Sequence, residues 1–317
     1  MSFDPKLITF PGRILDPEKI IIGNNVSVDV DPMTADFTRS LTDLNGRKSL
    51  LDTGVLRDWA VVYPRKFAQN EVFEFCKILA NAAKTLGFPI PKPHFEAIND
   101  DRPATYVNAI EMICQSNNPL LVMTILPNNR QDRYDAIKKK CYVQRSVPNQ
   151  VVLAKNMSKK NMSVCTKIAI QMCCKIGGSP WSVNIPFKTP TMVVGFDVCH
   201  DKALSQTSVG ALVASLNPSY TRYYSSVTFH KNGSELCDFL AAEFMKCLVA
   251  YRNNNNGLLP TRIFFYRDSV GEGNYHYTLE VEVAKIVAMW KLTYPEAGEC
   301  PLTYIIVSKG INCQDFS

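Results

Sequence analysis

WAVVYPRKFAQNEVFEFCKILANAAKTLGF, residues 59–88, reads as a strand followed by a helix. WAVVYP is a continuous apolar run of strand length, the pattern of a strand buried on both faces. EVFEFCKILANAAKTLGF (71–88) spaces its apolar residues for a helix that stops near Gly87 and Pro89. PLLVMTILP (119–127) is a second buried strand. Strand, helix and strand in this order, with strands apolar throughout, predict parallel pairing with helices on the sheet faces.

Toward the N-terminus the signal fades. Residues 1–55 alternate short apolar patches (LITF, KIIIG) with Pro, Asp and Asn, and read as a linker segment that packs on something else. Toward the C-terminus, DRYDAIKKKC (132–141) reads as a helix, VPNQVVLA (147–154) as a loop entering a strand, and SVCTKIAIQMCCKIGG (163–178) as a helix closed by glycines. PWSVNIPFKTP (180–190), with its prolines, marks a boundary. The expected division is 1–55 linker, 56–183 first domain and 184–317 second domain. In the second, TMVVGFDV, SVGALVASL and YYSSVTFH are three successive strands. A helix (234–251), the strand RIFFYRD, a helix (277–290) and the strand LTYIIVS follow. That order predicts an α/β domain with a mixed sheet and helices on its faces.

Composition narrows the class. At 317 residues, 46% hydrophobic and 20% charged, the chain suits two cores of ordinary domain size. No apolar run approaches the roughly 18 residues that span a bilayer, and MSFDPKLITF lacks the features of a secretory signal, so a soluble intracellular protein with no membrane partner is expected. The eleven cysteines lie mostly inside apolar runs and form no CxxC pattern, which favours core thiols, Cys173 and Cys174 included, over a disulfide framework or a zinc site. The net charge of +6 is uneven: residues 130–190 hold twelve Lys or Arg against two Asp, a local +10. An anion is expected there, although a basic segment is also a common solvated face.

Two constellations carry chemistry. Tyr134 and Lys138 are four apart on one helix, as are Gln171 and Lys175 on another, and residues so spaced share a helical face. If the faces converge with Gln150 from the intervening segment, the pocket offers several donors and two positive charges to a terminal phosphate. The Tyr134 ring would then serve as a stacking surface for the terminal base. Either pair alone also fits a solvent-facing helix. In the second domain Asp197 and Asp268 each end an apolar strand, where reacting groups of α/β sheets collect. Two carboxylates side by side repel unless cations lie between them, the arrangement of a two-metal phosphodiesterase site. Glu235 could add a third carboxylate, with Asp201 and Asp238 competing for such roles. Strand-terminal Asp is equally a turn former or helix cap. His200 reads as structural, and SVGEG (269–273) lacks the spacing of a nucleotide-binding loop.

DRYDAIKKKC, VPNQVV, KIAIQMCCKIGG, VVGFDVCHD and FFYRDSVGEG, in this order, resemble the Piwi clade of Argonaute proteins over residues 56 to 310. Gln171, where many Argonautes outside the clade carry Lys, favours Piwi. The resemblance implies a MID domain (56–183) anchoring the 5′ phosphate of a piRNA-type guide RNA, then a ribonuclease H-like PIWI domain (184–317) that is incomplete. It assigns the 5′-phosphate pocket to Tyr134, Lys138, Gln150, Gln171 and Lys175, and allows a divalent ion there. It assigns the slicer residues to Asp197, Glu235 and Asp268, with Mg²⁺ held by Asp197 and Asp268. The family's last catalytic His would follow Ser317, and none of His94, His200, His230 or His276 takes its place by order. Implied with these are a complementary target RNA, Tudor-domain partners, transposon silencing in the germline, and a cytoplasmic or nuclear location. Three readings stand: an RNA-binding module that does not cut, a metal-dependent RNA endonuclease, and a fragment without function whose open sheet exposes apolar surface.

Overall fold

A computed structural model describes residues 11–13, 16–31, 33–34, 49–200, 208–230, 233–268, 270, 273 and 275–308. The chain divides into two compact units, Met1–Asn184 and Ile185–Ser317. Among the described residues no helix is long and apolar enough to cross a membrane.

The first unit is a three-layer α/β structure. Its strands are β3 (Trp59–Pro64), β4 (His94–Ile98), β5 (Leu121–Leu126) and β6 (Asn149–Leu153), ordered β4-β3-β5-β6 and all parallel. β3 and β5 are buried at every position, as their unbroken apolar runs require. Alternate side chains serve opposite cores. Trp59, Val61 and Tyr63 pack with α1 (Gln69–Thr85) on one side. Ala60 and Val62 pack on the other with α2 (Pro103–Ser116) and with Ile137 of α3 (Gln131–Lys138). α4 (Met162–Lys175) joins the first core through Cys165, Ile168, Ala169 and Met172. Asn161 caps it, its side chain accepting from Ser163 N. The chain leaves α4 through Gly177 at φ 91°, the left-handed conformation that closes helices. Cys173 is buried as expected, whereas Cys174, one position round the helix, is exposed.

Three features lie outside the sequence reading. β4 and α2 form a further strand and helix between β3 and β5; HFEAI is the outer strand of the sheet and only Ile98 is buried, so no apolar run announces it. The 1–55 segment contributes β1 (Ile20–Ile22) and β2 (Val26–Val28), which pair antiparallel with each other, and β1 with β7 (Ser182–Val183). Asp52 bridges Ser179, and Leu50 enters the core. This stretch therefore packs on its own unit. Finally, α3 runs on through a π turn, Lys139–Gln144, where a plain helix end was expected.

The second unit is a five-stranded sheet ordered β10-β9-β8-β11-β12, from β8 (Thr191–His200), β9 (Ser208–Ser215), β10 (Tyr223–His230), β11 (Arg262–Asp268) and β12 (Leu302–Val307). β8, β9 and β10 pair antiparallel, and β8, β11 and β12 parallel, giving the mixed sheet. α5 (Gly233–Asn254) and α6 (Ala284–Thr293) supply Leu240, Phe244, Leu248, Ile286 and Trp290 to a core against Met192, Val194, Phe196 and Phe265. Among the described residues these helices cover one face; Val213, Val227 and Phe229 are exposed on the strands.

Candidate functional site

In the first unit, Tyr134, Lys138, Gln150, Gln171 and Lys175 line one cavity of about 640 Å³. The parallel sheet brings them together: β6 runs at its edge, α3 precedes that strand and α4 follows it. The hub is a main-chain atom. Asn149 O accepts from Lys175 Nζ at 2.8 Å, Lys138 Nζ at 3.2 Å and Tyr142 OH at 3.4 Å. Lys175 Nζ also donates to Gln150 Oε1 at 2.7 Å, and Gln150 Nε2 donates to Gln171 Oε1 at 2.9 Å, so one hydrogen-bonded chain joins β6 to α4.

This geometry concentrates positive charge where water is scarce. Burial pushes Lys138 below its ordinary value. Burial, and then repulsion from Lys138, bring Lys175 from 10.5 down to about 8. Each ammonium has three N–H donors. Lys138 uses one on Asn149 O, and Lys175 uses two, on Asn149 O and Gln150 Oε1, which leaves three for a ligand. A doubly charged anion would stabilise both lysines in their charged forms, the reverse of what burial does. Tyr134 is 41% exposed, and its ring centroid lies 5.3 Å from Lys138 Nζ, within reach of anything bound there.

Sequence reasoning missed some of this site. Asn129, Gln131 and Asn156 also line the cavity, and Tyr142 stands behind Lys138 with its ring centroid 4.9 Å from Nζ. Tyr142 was within reach of the spacing rule, being four residues beyond Lys138; the hub role of Asn149 was not, because a main-chain carbonyl leaves no mark in the sequence.

The second constellation is of another kind. β8 and β11 are adjacent and parallel, and the register pairs Phe196 with Arg267, so Asp197 and Asp268 follow at the same level. Both line a shallow cavity of about 370 Å³ with Gly195, Val213 and Tyr266. Asp197 is exposed, its Oδ1 accepting from Val198 N at 2.7 Å. Beside them is a buried network: Arg267 Nε lies 3.3 Å from Glu282 Oε2, which also accepts from Tyr304 OH at 2.7 Å. Arg267 Nη1 donates to Asp268 O at 3.1 Å, and the guanidinium lies 4.9 Å from the Phe196 ring centroid. Glu235 and Asp238 lie in the first turns of α5, but their side chains fall outside the described residues, as does Asp201 altogether; the same holds for most of SVGEG. Among the described residues no group of three His, Cys, Asp or Glu that could hold a metal is present. Two carboxylates at one level nonetheless suit Mg²⁺, which binds through one or two carboxylates and completes its shell with water or phosphate oxygens.

Comparison with known proteins agrees with this architecture. Residues 121–317 match the Piwi domain family. The Piwi-like protein Siwi of Bombyx mori is 41% identical over 318 residues, covering all of this chain and 34% of that protein. The crystal structure of Drosophila Piwi superposes with a TM-score of 0.80 at 34% identity, over 93% of this chain and 40% of that one. Kluyveromyces polysporus Argonaute, solved with a guide RNA, shares the fold at a TM-score of 0.75 and 19% identity, over 94% of this chain and 37% of that one. The chain thus spans about a third of the length of the curated relative it matches.

Proposed function

The chain belongs to the Piwi clade of the Argonaute family, and from that premise we propose that its first unit is a MID domain that grips the 5′ phosphate of a small guide RNA for RNA-guided silencing. The observation that carries the reading is the convergence of Lys138 and Lys175 on a single carbonyl, with Gln150 and Gln171 joining β6 to α4 and Tyr134 at the mouth. Charge-assisted contacts of this kind suit a terminal phosphate better than an internal one, because the terminal group carries about one further negative charge. Complementary RNA is then the target, selected by pairing with the guide.

The test is the affinity of the chain for a short single-stranded RNA bearing either a 5′ phosphate or a 5′ hydroxyl, at fixed salt. The phosphate form is expected to bind more tightly, and Lys138→Ala or Lys175→Ala to weaken it by about 10- to 100-fold, the worth of one charged hydrogen bond of about 1.5–3 kcal/mol. Equal affinity for the two RNAs overturns the reading.

A second reading, RNA cleavage by a slicer centre, is supported by the matched level of Asp197 and Asp268. These two would hold Mg²⁺, with Glu235 from α5 as a further carboxylate. Bound there, Mg²⁺ would supply Lewis-acid polarisation of a phosphodiester. Magnesium-dependent cleavage of a guide-paired RNA, lost in Asp197→Ala, supports this reading; cleavage that survives Asp197→Ala refutes it. Tudor-domain partners, piRNA-type guides, transposon silencing in germ cells and a cytoplasmic or nuclear location accompany the proposal as family properties.

A further inference from the structure

Lys138 is held from behind as well as from the cavity side. α3 stops at Lys138, and the next six residues, Lys139–Gln144, widen into a π turn. Such turns are uncommon and gather at functional sites, since their looser hydrogen bonding must be offset by other contacts. Here the offset is Glu111 of α2. Its carboxylate meets Lys140 Nζ at 2.5 Å near the start of the turn and accepts from Arg145 Nε at 2.7 Å just past its end. The Lys140 side chain is 12% exposed and that of Glu111 26%, so the pair is sheltered from solvent. Between the two anchors Cys141 is fully buried, and its carbonyl accepts from Val147 N at 2.8 Å.

A turn pinned at both ends fixes what projects from its middle. Tyr142 is directed back at Lys138, with its hydroxyl on the Asn149 carbonyl that both lysines share. The Lys138 ammonium therefore has aromatic rings on two flanks, at 4.9 and 5.3 Å from its Nζ. A lysine left free has many rotamers to lose on meeting a ligand, and pre-setting one of them raises affinity.

We infer that Tyr142 is a positioning residue for guide-end recognition: from a π turn anchored on Glu111, it holds the Lys138 ammonium in the orientation that meets a terminal phosphate. This rests on the guide-binding reading and adds to it a residue, a turn and an anchor outside the cavity wall.

The experiment compares 5′-phosphate and 5′-hydroxyl RNA on the same purified chain, for Tyr142→Leu, Tyr142→Phe, Glu111→Gln and Tyr142→Leu combined with Lys138→Ala. Tyr142→Leu is expected to lower the phosphate preference about fivefold, in line with a cation–π contact. Tyr142→Phe keeps the ring and most of the preference. Glu111→Gln, which loosens the turn without touching the cavity, lowers it by a smaller factor and carries the decision if Tyr142→Leu does not fold. In the Lys138→Ala background Tyr142→Leu should change the preference no further. The inference is overturned if Tyr142→Leu weakens both RNAs alike, leaves the preference intact, or adds its full effect to Lys138→Ala. In those cases a preference still lost in Lys138→Ala alone leaves the guide reading standing. Absence of any preference in the unsubstituted chain removes both.

Discussion

In the first unit two cations, Lys138 and Lys175, are partly buried and share one main-chain carbonyl. In the second unit two carboxylates, Asp197 and Asp268, end neighbouring strands on an open face, and a buried Arg267–Glu282 pair lies beside them. The first arrangement holds its candidate binding charges where burial disfavours them, a cost that a bound anion would offset. The second holds its candidate charges near water, with the buried pair beside them as scaffold. Burial accompanies the candidate binding groups in the first unit, where Arg133, 1% exposed and paired with Asp101, is buried as scaffold too, and it marks a supporting pair in the second, so burial alone does not tell a site from its support.

The largest expected effect breaks the scaffold. Arg267→Met strands Glu282, which is 3% exposed, and should destabilise the second unit by about 3–5 kcal/mol, the usual cost of leaving a buried ion without its partner. Hydrogen exchange would show lost protection in β8, β11 and β12 with that in β3 and β5 unchanged, and Glu282→Leu added to Arg267→Met should restore part of it. Unchanged protection in all five strands would mean that the pair supports nothing.

A smaller effect sharpens the other side. Lys175, lowered to about 8 by burial and by Lys138, is charged below that pH and loses its proton above it. Affinity for 5′-phosphate RNA should fall about tenfold between ~pH 7 and ~pH 9, one pKa unit being a factor of ten, and should also fall below the phosphate's own second pKa of about 6. Stability runs the other way. Between about 8 and 10.5 the unfolded chain keeps a proton that the folded chain has lost, so the first unit gains stability as pH rises through that window. Binding that stays flat across the window, or stability that falls there, would show that Lys175 is not buried beside a second cation.

These contrasts separate what could be read in advance from what could not. The buried strands β3 and β5 were plain, because parallel strands covered on both faces admit few polar residues. β4 was missed because an outer strand needs no such run, and β1, β2 and β7 because two or three residues carry no period. In the candidate site, the helical pairs Tyr134/Lys138 and Gln171/Lys175 were legible from four-residue spacing. The levelling of Asp197 with Asp268 was legible only as two strand ends, without register.

By itself, the sequence determined the local facts: which runs are apolar, where helices stop, which side chains share a helical turn. It also carried the family, since five ordered motifs survive without any geometry. Only the tertiary structure decided that the carbonyl of Asn149 collects both lysines and Tyr142, that Glu111 reaches Arg145 across 34 positions, and that Arg267, next to Asp268 on β11, meets Glu282. The physical reason is that main-chain atoms and strand order have no side-chain signature. They become partners only when a sheet brings together segments far apart in the chain.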